Sequence, residues 1–500
     1  MYGFLCLFVL CMLAGGNVDA QAVESVDVTI PGLGDVTGMY SEEQVPPVRI
    51  NSFLGIPYAE APVGERRFLP PVAIGPWTQR LNATAVRSCV SLSGGSEDCL
   101  YLNIYVPGEF NNARRLPVMV LIPGGFLTIA SLSDFNGQNL MRDDDAANDV
   151  ILVTVGHRLN VFGFLTSGDD VIPGNMDHMD QAMAIQWVQD HIASFGGDNS
   201  RITLFGQSTG ALSVLSHVLH FPASSRPFHH VIMQGMPCSA RVSDKSTQAD
   251  NFIAYAGSLG CDGDSTMILR CLQGKTAAEL RASTVTSDLS IYNIDGVYVT
   301  ENPFTALSTA DLSGLDVIIG FNSGEGAAWL SFVYSQSEID DFFTSGLAQN
   351  SSVIDDAVEF CAHATVDEVN WKLSGQLTFP SDTQVTNLPM LQAMFRERYF
   401  PEQDAAANME ALVQMTTDCL FGAYTLEIAR AFASNGSNTY LYHFGHYRPR
   451  PDGAIQTLAG HGSELVYVLG DPVPDQQYTE NERKLSQSIM AAWKSFARTG

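Results

Sequence analysis

Arg201-Ile202-Thr203-Leu204-Phe205-Gly206-Gln207-Ser208-Thr209-Gly210-Ala211-Leu212-Ser213-Val214-Leu215-Ser216-His217-Val218-Leu219 is the stretch that decides the fold. Its first five residues alternate apolar side chains and are rich in β-branching, which predicts a strand. Ala211 to Leu219 repeats apolar residues as a helix does. Between the two stands Gly206-Gln207-Ser208-Thr209-Gly210. Two glycines let the chain reverse without a Cβ clash, so the Ser208 hydroxyl is presented above the sheet at the apex of the turn. Gly-x-Ser-x-Gly alone is common loop punctuation. The strand before it and the helix after it make it a nucleophile elbow.

The rest of the chain fits a sheet that presents such an elbow. Leu116 to Ile122 is an unbroken apolar strand ending at Pro123-Gly124-Gly125, Val150 to Val155 a second, and Asp316 to Gly320 a third. Met179 to Val188 has apolar residues at helical spacing between them, and its Trp187 and methionines read as core. Alternating strands and helices predict an α/β protein with the α/β-hydrolase fold: a large, mostly parallel central sheet covered by helices on both faces. With 500 residues, 45% of them hydrophobic, a large core is available, and no repeat or linker divides it. Residues 21–500 are expected to form one domain.

Charge narrows the partners. Fifty-four acidic residues against 26 basic ones give −28. Nucleic acid and anionic membrane surfaces both need a basic face, so neither is an expected partner. Residues 1–20, with the run Phe4 to Leu13 and the small-residue site at Val18-Asp19-Ala20, read as a signal peptide. No later run is long and apolar enough to span a bilayer. A secreted, extracellular protein is expected. Nine cysteines less Cys6 and Cys11 of the signal leave seven, an odd number, so at least one is unpaired or bonds to another chain. The sequons at Asn82, Asn350 and Asn435 are candidate glycan sites. No zinc-type spacing is present; His443 and His446 fall on a strand pattern, and neither a metal nor a cofactor is expected.

A serine nucleophile needs a histidine to take its proton and a carboxylate to orient that histidine, in the chain order serine, acid, histidine. Of the 11 histidines, His363, His443, His446 and His461 lie far downstream of the elbow. His461 sits in Ala459-Gly460-His461-Gly462, a glycine-flanked loop that leaves an imidazole free to reach outward.

Several further motifs stand in order along the chain. They are Phe53-Leu54-Gly55-Ile56-Pro57-Tyr58-Ala59 with Arg67-Phe68, Glu97-Asp98-Cys99-Leu100-Tyr101-Leu102-Asn103, Arg158-Leu159-Asn160-Val161-Phe162-Gly163-Phe164, Pro173-Gly174-Asn175, Asp180-Gln181 and Phe195-Gly196-Gly197-Asp198. With the elbow, they resemble the type-B carboxylesterases, the family of the cholinesterases and juvenile hormone esterases, from about Val28 to Gly500. The resemblance implies Glu325 as the acid and His461 as the base. It implies disulfides Cys89–Cys99 and Cys261–Cys271, and a third that would pair Cys419 with a cysteine beyond residue 500, the chain stopping partway through the family's closing helix. Cys238 and Cys361 receive no partner. An oxyanion hole of N–H groups from Gly125, Thr209 and either Gly124 or Phe126 follows from the same likeness.

Three departures bear on activity. Pro123-Gly124-Gly125-Phe126 stands where the family has His-Gly-Gly-Gly-Phe, so either a glycine is deleted or Phe126 takes a glycine position. Thr209 replaces alanine, and Gly235 replaces a serine beside Gln234. The resemblance implies a secreted serine carboxylesterase acting on apolar esters, either generally or in the manner of a juvenile hormone esterase. The alternative is a catalytically weak or silent adhesion or binding relative. Sequence leaves the physiological ester and the oligomeric state open.

Overall fold

The computed structural model describes residues 24–44, 47–91, 94–129, 131–142, 149–237, 242–282, 292–328, 357–358, 361, 388–399, 405–448 and 458–500. The candidate signal segment, Asn350 and Cys238 lie outside the described residues. By contacts the described chain falls into two compact units. One holds residues 24–319, 428–441 and 465–500; the other holds 320–427 and 442–464.

The strands in chain order are β1 (Glu24–Ile30), β2 (Gly34–Gln44), β3 (Pro47–Pro57), β4 (Leu81–Asn82), β5 (Tyr101–Pro107), β6 (Leu116–Ile122), β7 (Ile151–Val155), β8 (Gly197–Gln207), β9 (His230–Gln234), β10 (Val242–Asp244), β11 (Tyr292–Ile294), β12 (Asp316–Asn322) and β13 (Thr439–Phe444). All but β10 and β11 form one sheet, ordered β1-β2-β3-β5-β7-β6-β8-β9-β12-β13, with β4 beside β2. β7, β6, β8 and β9 run parallel at its centre, while β1, β2, β3 and β5 are antiparallel. The α/β fold and its large central sheet are as expected from the sequence.

Parallel central strands must be apolar on both faces, because crossover helices cover both. Every residue of β6 and β7 is buried, as the uninterrupted runs at 116–122 and 150–155 predicted. Three helices matter for the site: α1 (Asn160–Phe164), α2 (Met176–His191) and α3 (Thr209–His220). Trp187 of α2 is core, and Met179 and Met183 pack against it.

The motifs that carried the resemblance are mostly buried polar clamps. Arg67 pairs doubly with Glu97 at 2.6 Å, and its third nitrogen donates to the carbonyls of Leu272, Gln273 and Lys275. It thereby caps the helix Ser265–Gln273 at its negative end. Arg158 is bidentate on Asp180, and the Asn175 amide donates to Asp295 and to the Asn293 carbonyl. Each satisfies a buried charge or amide that would otherwise cost several kcal/mol, of order 3–5 for a broken ion pair.

Cys89–Cys99 and Cys261–Cys271 are bridged, with Cα separations of 4.9 and 5.7 Å. The third bridge corrects the sequence reading: Cys419 pairs with Cys361, not with a cysteine beyond residue 500. Both are buried and their Cα atoms lie 5.8 Å apart, within bridging range. Their 58-residue separation gives the largest chain-entropy contribution of the three, about 4 kcal/mol against about 3 for each short loop.

Candidate active site

Ser208 sits between β8 and α3 with φ 59° and ψ −129°, a left-handed conformation forced on a residue that has a Cβ. Such strain costs of order 1–3 kcal/mol and persists where surroundings over-determine it. Here the Ser208 N–H donates to the Gln234 carbonyl at 2.8 Å, while its carbonyl accepts the N–H groups of Ala211 and Leu212. The flanking glycines are required by contact. A Cβ on Gly206 would lie 2.4 Å from the Gly210 carbonyl carbon, and one on Gly210 would lie 2.3 Å from the Ile122 oxygen. The positive φ falls on the serine, and the glycines provide the room for it.

The loop after β6 lies against this turn. A Cβ on Gly124 would lie 2.2 Å from the Gln207 oxygen and 3.2 Å from the Ser208 Cβ. Gly125, Phe126 and Leu127 then have φ of 83°, 55° and 52°, three left-handed residues in a row. Phe126 therefore has a backbone conformation that glycine adopts without cost. The Gly125 carbonyl accepts the N–H groups of Thr128 and Ile129, both at 3.0 Å, and the Leu127 carbonyl accepts the Asn160 N–H at 2.8 Å. Thr209 is the first residue of α3, so its N–H belongs to the helix's unsatisfied first turn. Its hydroxyl is buried without a hydrogen-bond partner among the described residues.

Glu325 and His461 meet in the second unit. The His461 Nδ1 lies 2.5 Å from Glu325 Oε2, and the Asn322 N–H donates to the other carboxylate oxygen at 2.8 Å. Glu325 is fully buried. One backbone and one side-chain hydrogen bond join the loops that carry the pair: the Gly324 N–H donates to the Ala459 carbonyl, and the Ala459 N–H to Ser323 Oγ. Phe421 stacks obliquely near the imidazole, ring centres 5.3 Å apart. Burial alone would lower the His461 pKa, but the charge and hydrogen bond of Glu325 outweigh it and raise it. Ser208 and its glycine loop lie in the first unit, and the acid–base pair in the second.

Sequence reading passed over Glu464. It is 2% exposed, and the Asn322 side-chain amide donates to it and to the Gly460 carbonyl. Burial and the nearby Glu325 charge push its pKa up to about 7. The available signal was its place three residues after His461; its burial beside a second carboxylate was invisible. A carboxyl whose folded pKa is raised favours the folded state most at low pH, and that advantage is lost as pH rises from about 4.5 to about 7. Glu464→Gln, which cannot ionise, is therefore expected to raise Tm more at pH 8 than at pH 5. Equal shifts in thermal melts at the two pH values would refute the assignment.

Comparison with known proteins gives the family. The sequence model described as "Carboxylesterase family" matches residues 24–500. The chain is 32% identical to carboxylesterase 1C of Mus musculus, over 98% of this chain and 87% of that protein. It is 32% identical to cocaine esterase of Oryctolagus cuniculus, over 93% and 86%. It is 29% identical to pyrethroid hydrolase Ces2e of Rattus norvegicus, over 100% and 85%.

Proposed function

The chain belongs to the Carboxylesterase family and is a carboxylic ester hydrolase; from that premise we propose that it works through Ser208, His461 and Glu325 by way of an acyl-enzyme. In this reading Ser208 Oγ attacks the ester carbonyl and His461 Nε2 takes its proton. Glu325 holds Nδ1 and stabilises the imidazolium; His461 then returns the proton to the leaving alcohol. Water, activated by the same histidine, releases the acid. N–H groups of Gly125, Thr209 and either Gly124 or Phe126 receive the oxyanion. The observation that carries the reading is the strained φ of Ser208 at a strand–helix turn, together with a buried carboxylate on His461 Nδ1. A fluorophosphonate probe is expected to label the protein at Ser208 and nowhere else; labelling that persists in Ser208→Ala would refute it.

We read the substrate as an apolar ester. Cys89 and Cys99 enclose only Val90 to Asp98, with no aromatic residue to face a quaternary ammonium. Gln207 beside the nucleophile supplies no negative charge. A methyl ester of a sesquiterpenoid acid and p-nitrophenyl butyrate are both expected to show higher kcat/KM than butyrylthiocholine. A preference for the thiocholine ester in the same assay would overturn this. Secretion is supported by the three disulfides and by the apolar segment from Phe4 to Leu13. Among the described residues no helix is long and apolar enough to cross a membrane. Asn82 and Asn435 are both exposed, as glycan acceptors must be.

A further inference from the structure

We propose that the buried His157–Asp177 ion pair is a positioning device that holds the oxyanion loop, residues 123–127, in place beside Ser208. The inference rests on the reading of Ser208 as the nucleophile.

His157 follows β7, is 3% exposed, and contacts Asp177 of α2 through Nδ1. Asp177 is fully buried. The next residue, Arg158, is bidentate on Asp180, one helical turn further along α2. Two adjacent side chains thus fix the end of β7 to one face of α2. Just beyond, the Asn160 N–H holds the Leu127 carbonyl, the far end of the loop whose near end, Gly124, abuts Ser208. Two consecutive left-handed residues that are not glycine, Phe126 and Leu127, make that loop costly to hold, so its anchor must be firm.

The same pair is also linked to α3, the helix that follows the elbow. The Gln181 amide donates to Asp177 at 2.8 Å, and its carbonyl oxygen lies 2.8 Å from His217 Nε2 on α3. His217 Nδ1 faces the Tyr298 hydroxyl at 2.5 Å. One hydrogen-bonded chain therefore joins the loop's anchor to the helix that begins at Thr209.

The groups facing His157 are Asp177 and Asp180 from α2, with His178 of α2 and His217 of α3 beyond them, Arg158 beside it, and Tyr58, just after β3, whose hydroxyl donates to the Gly156 carbonyl. Burial drives His217 well below the usual histidine range and His178 to about 4, so both are neutral. Burial would lower His157 too, but the charge and hydrogen bond of Asp177 and the charge of Asp180 outweigh it and raise its pKa. A clamp of this sign is complete below about pH 6.5 and is lost as pH rises through the folded His157 pKa. Turnover then needs His461 neutral and His157 charged, which gives a fall in kcat on the alkaline side.

The test is kcat and KM for p-nitrophenyl butyrate from about pH 5 to pH 10 in the wild type, Asp177→Ala and the double variant His157→Gln/Asp177→Asn. Asp177→Ala is expected to lose about tenfold or more in kcat with KM within about threefold, as a misplaced oxyanion donor should. The double variant keeps a neutral hydrogen bond in place of the ion pair. It is expected to stay within about threefold of wild type near pH 7 and to lack the alkaline fall. Should Asp177→Ala fail to fold, the double variant decides. A double variant that declines like the wild type, a wild type flat to pH 10, or a folded Asp177→Ala with unchanged kcat would overturn the inference. Turnover that survives Ser208→Ala would instead overturn the functional reading, and the inference with it.

Discussion

Ser208→Ala is expected to lower kcat for p-nitrophenyl butyrate by about 10⁴-fold or more, with little change in Tm. In the proposed mechanism the hydroxyl is the atom that forms the acyl bond, and alanine has none. Folding should survive because the Ser208 contacts described above are made by its backbone N–H and carbonyl. Glu325→Gln should cost a comparable factor for a different reason. Glutamine would keep the contact to His461 but permit the wrong tautomer and leave the imidazolium without its counter-charge. The pH profile carries the same signature. Glu325 raises the His461 pKa above the ordinary 6.5, and a general base must be neutral. The acid limb of the profile should therefore have its midpoint above 6.5, separate from the alkaline fall expected from His157. Steady-state kinetics on the two variants, with a pH series on the wild type, checks all three statements; a Ser208→Ala enzyme within tenfold of wild type would defeat the assignment.

Gly124→Ala carries the second large effect. Its methyl would stand 2.2 Å from the Gln207 carbonyl oxygen and 3.2 Å from the Ser208 Cβ, against backbone that cannot yield. The loop must retreat from the elbow to admit it. Withdrawal of one N–H donor from the developing oxyanion costs about 10²–10³ in rate. We expect that loss in kcat, with a smaller change in KM, since the oxyanion exists only in the transition state. Pre-steady-state acylation rates would read it directly. Acylation as fast as wild type in a folded Gly124→Ala protein would show that the loop supplies no donor.

The elements legible in the sequence were those with strong local periodicity. Leu116–Ile122 was found to the residue, because a strand buried on both faces has no polar position to blur its ends. Met179 to Val188 was read as a helix, but α2 begins at Met176. Its start is set by the left-handed Asn175, whose amide is bound to Asn293 and Asp295 more than a hundred residues away. Asp316 to Gly320 was extended by two residues to Asn322, where Gly460 and Glu464 take the side-chain amide. The elbow was legible for a further reason: its glycines and serine are consecutive, so one short window holds both the turn and the nucleophile.

By itself, then, the order of residues determined the α/β class, the elbow at Ser208, the two short disulfides and the family, because each depends on neighbours in the chain or on motifs in sequence. Tertiary structure alone decided the rest. It paired Cys361 with Cys419 across 58 residues, and it supplied the contact between Glu325 and His461, 136 residues apart, that the family resemblance only implied. It buried Glu464 beside a second carboxylate, and it joined His157 to Asp177. These are properties of charge, distance and desolvation, and a side chain acquires them only when distant segments close around it and exclude water.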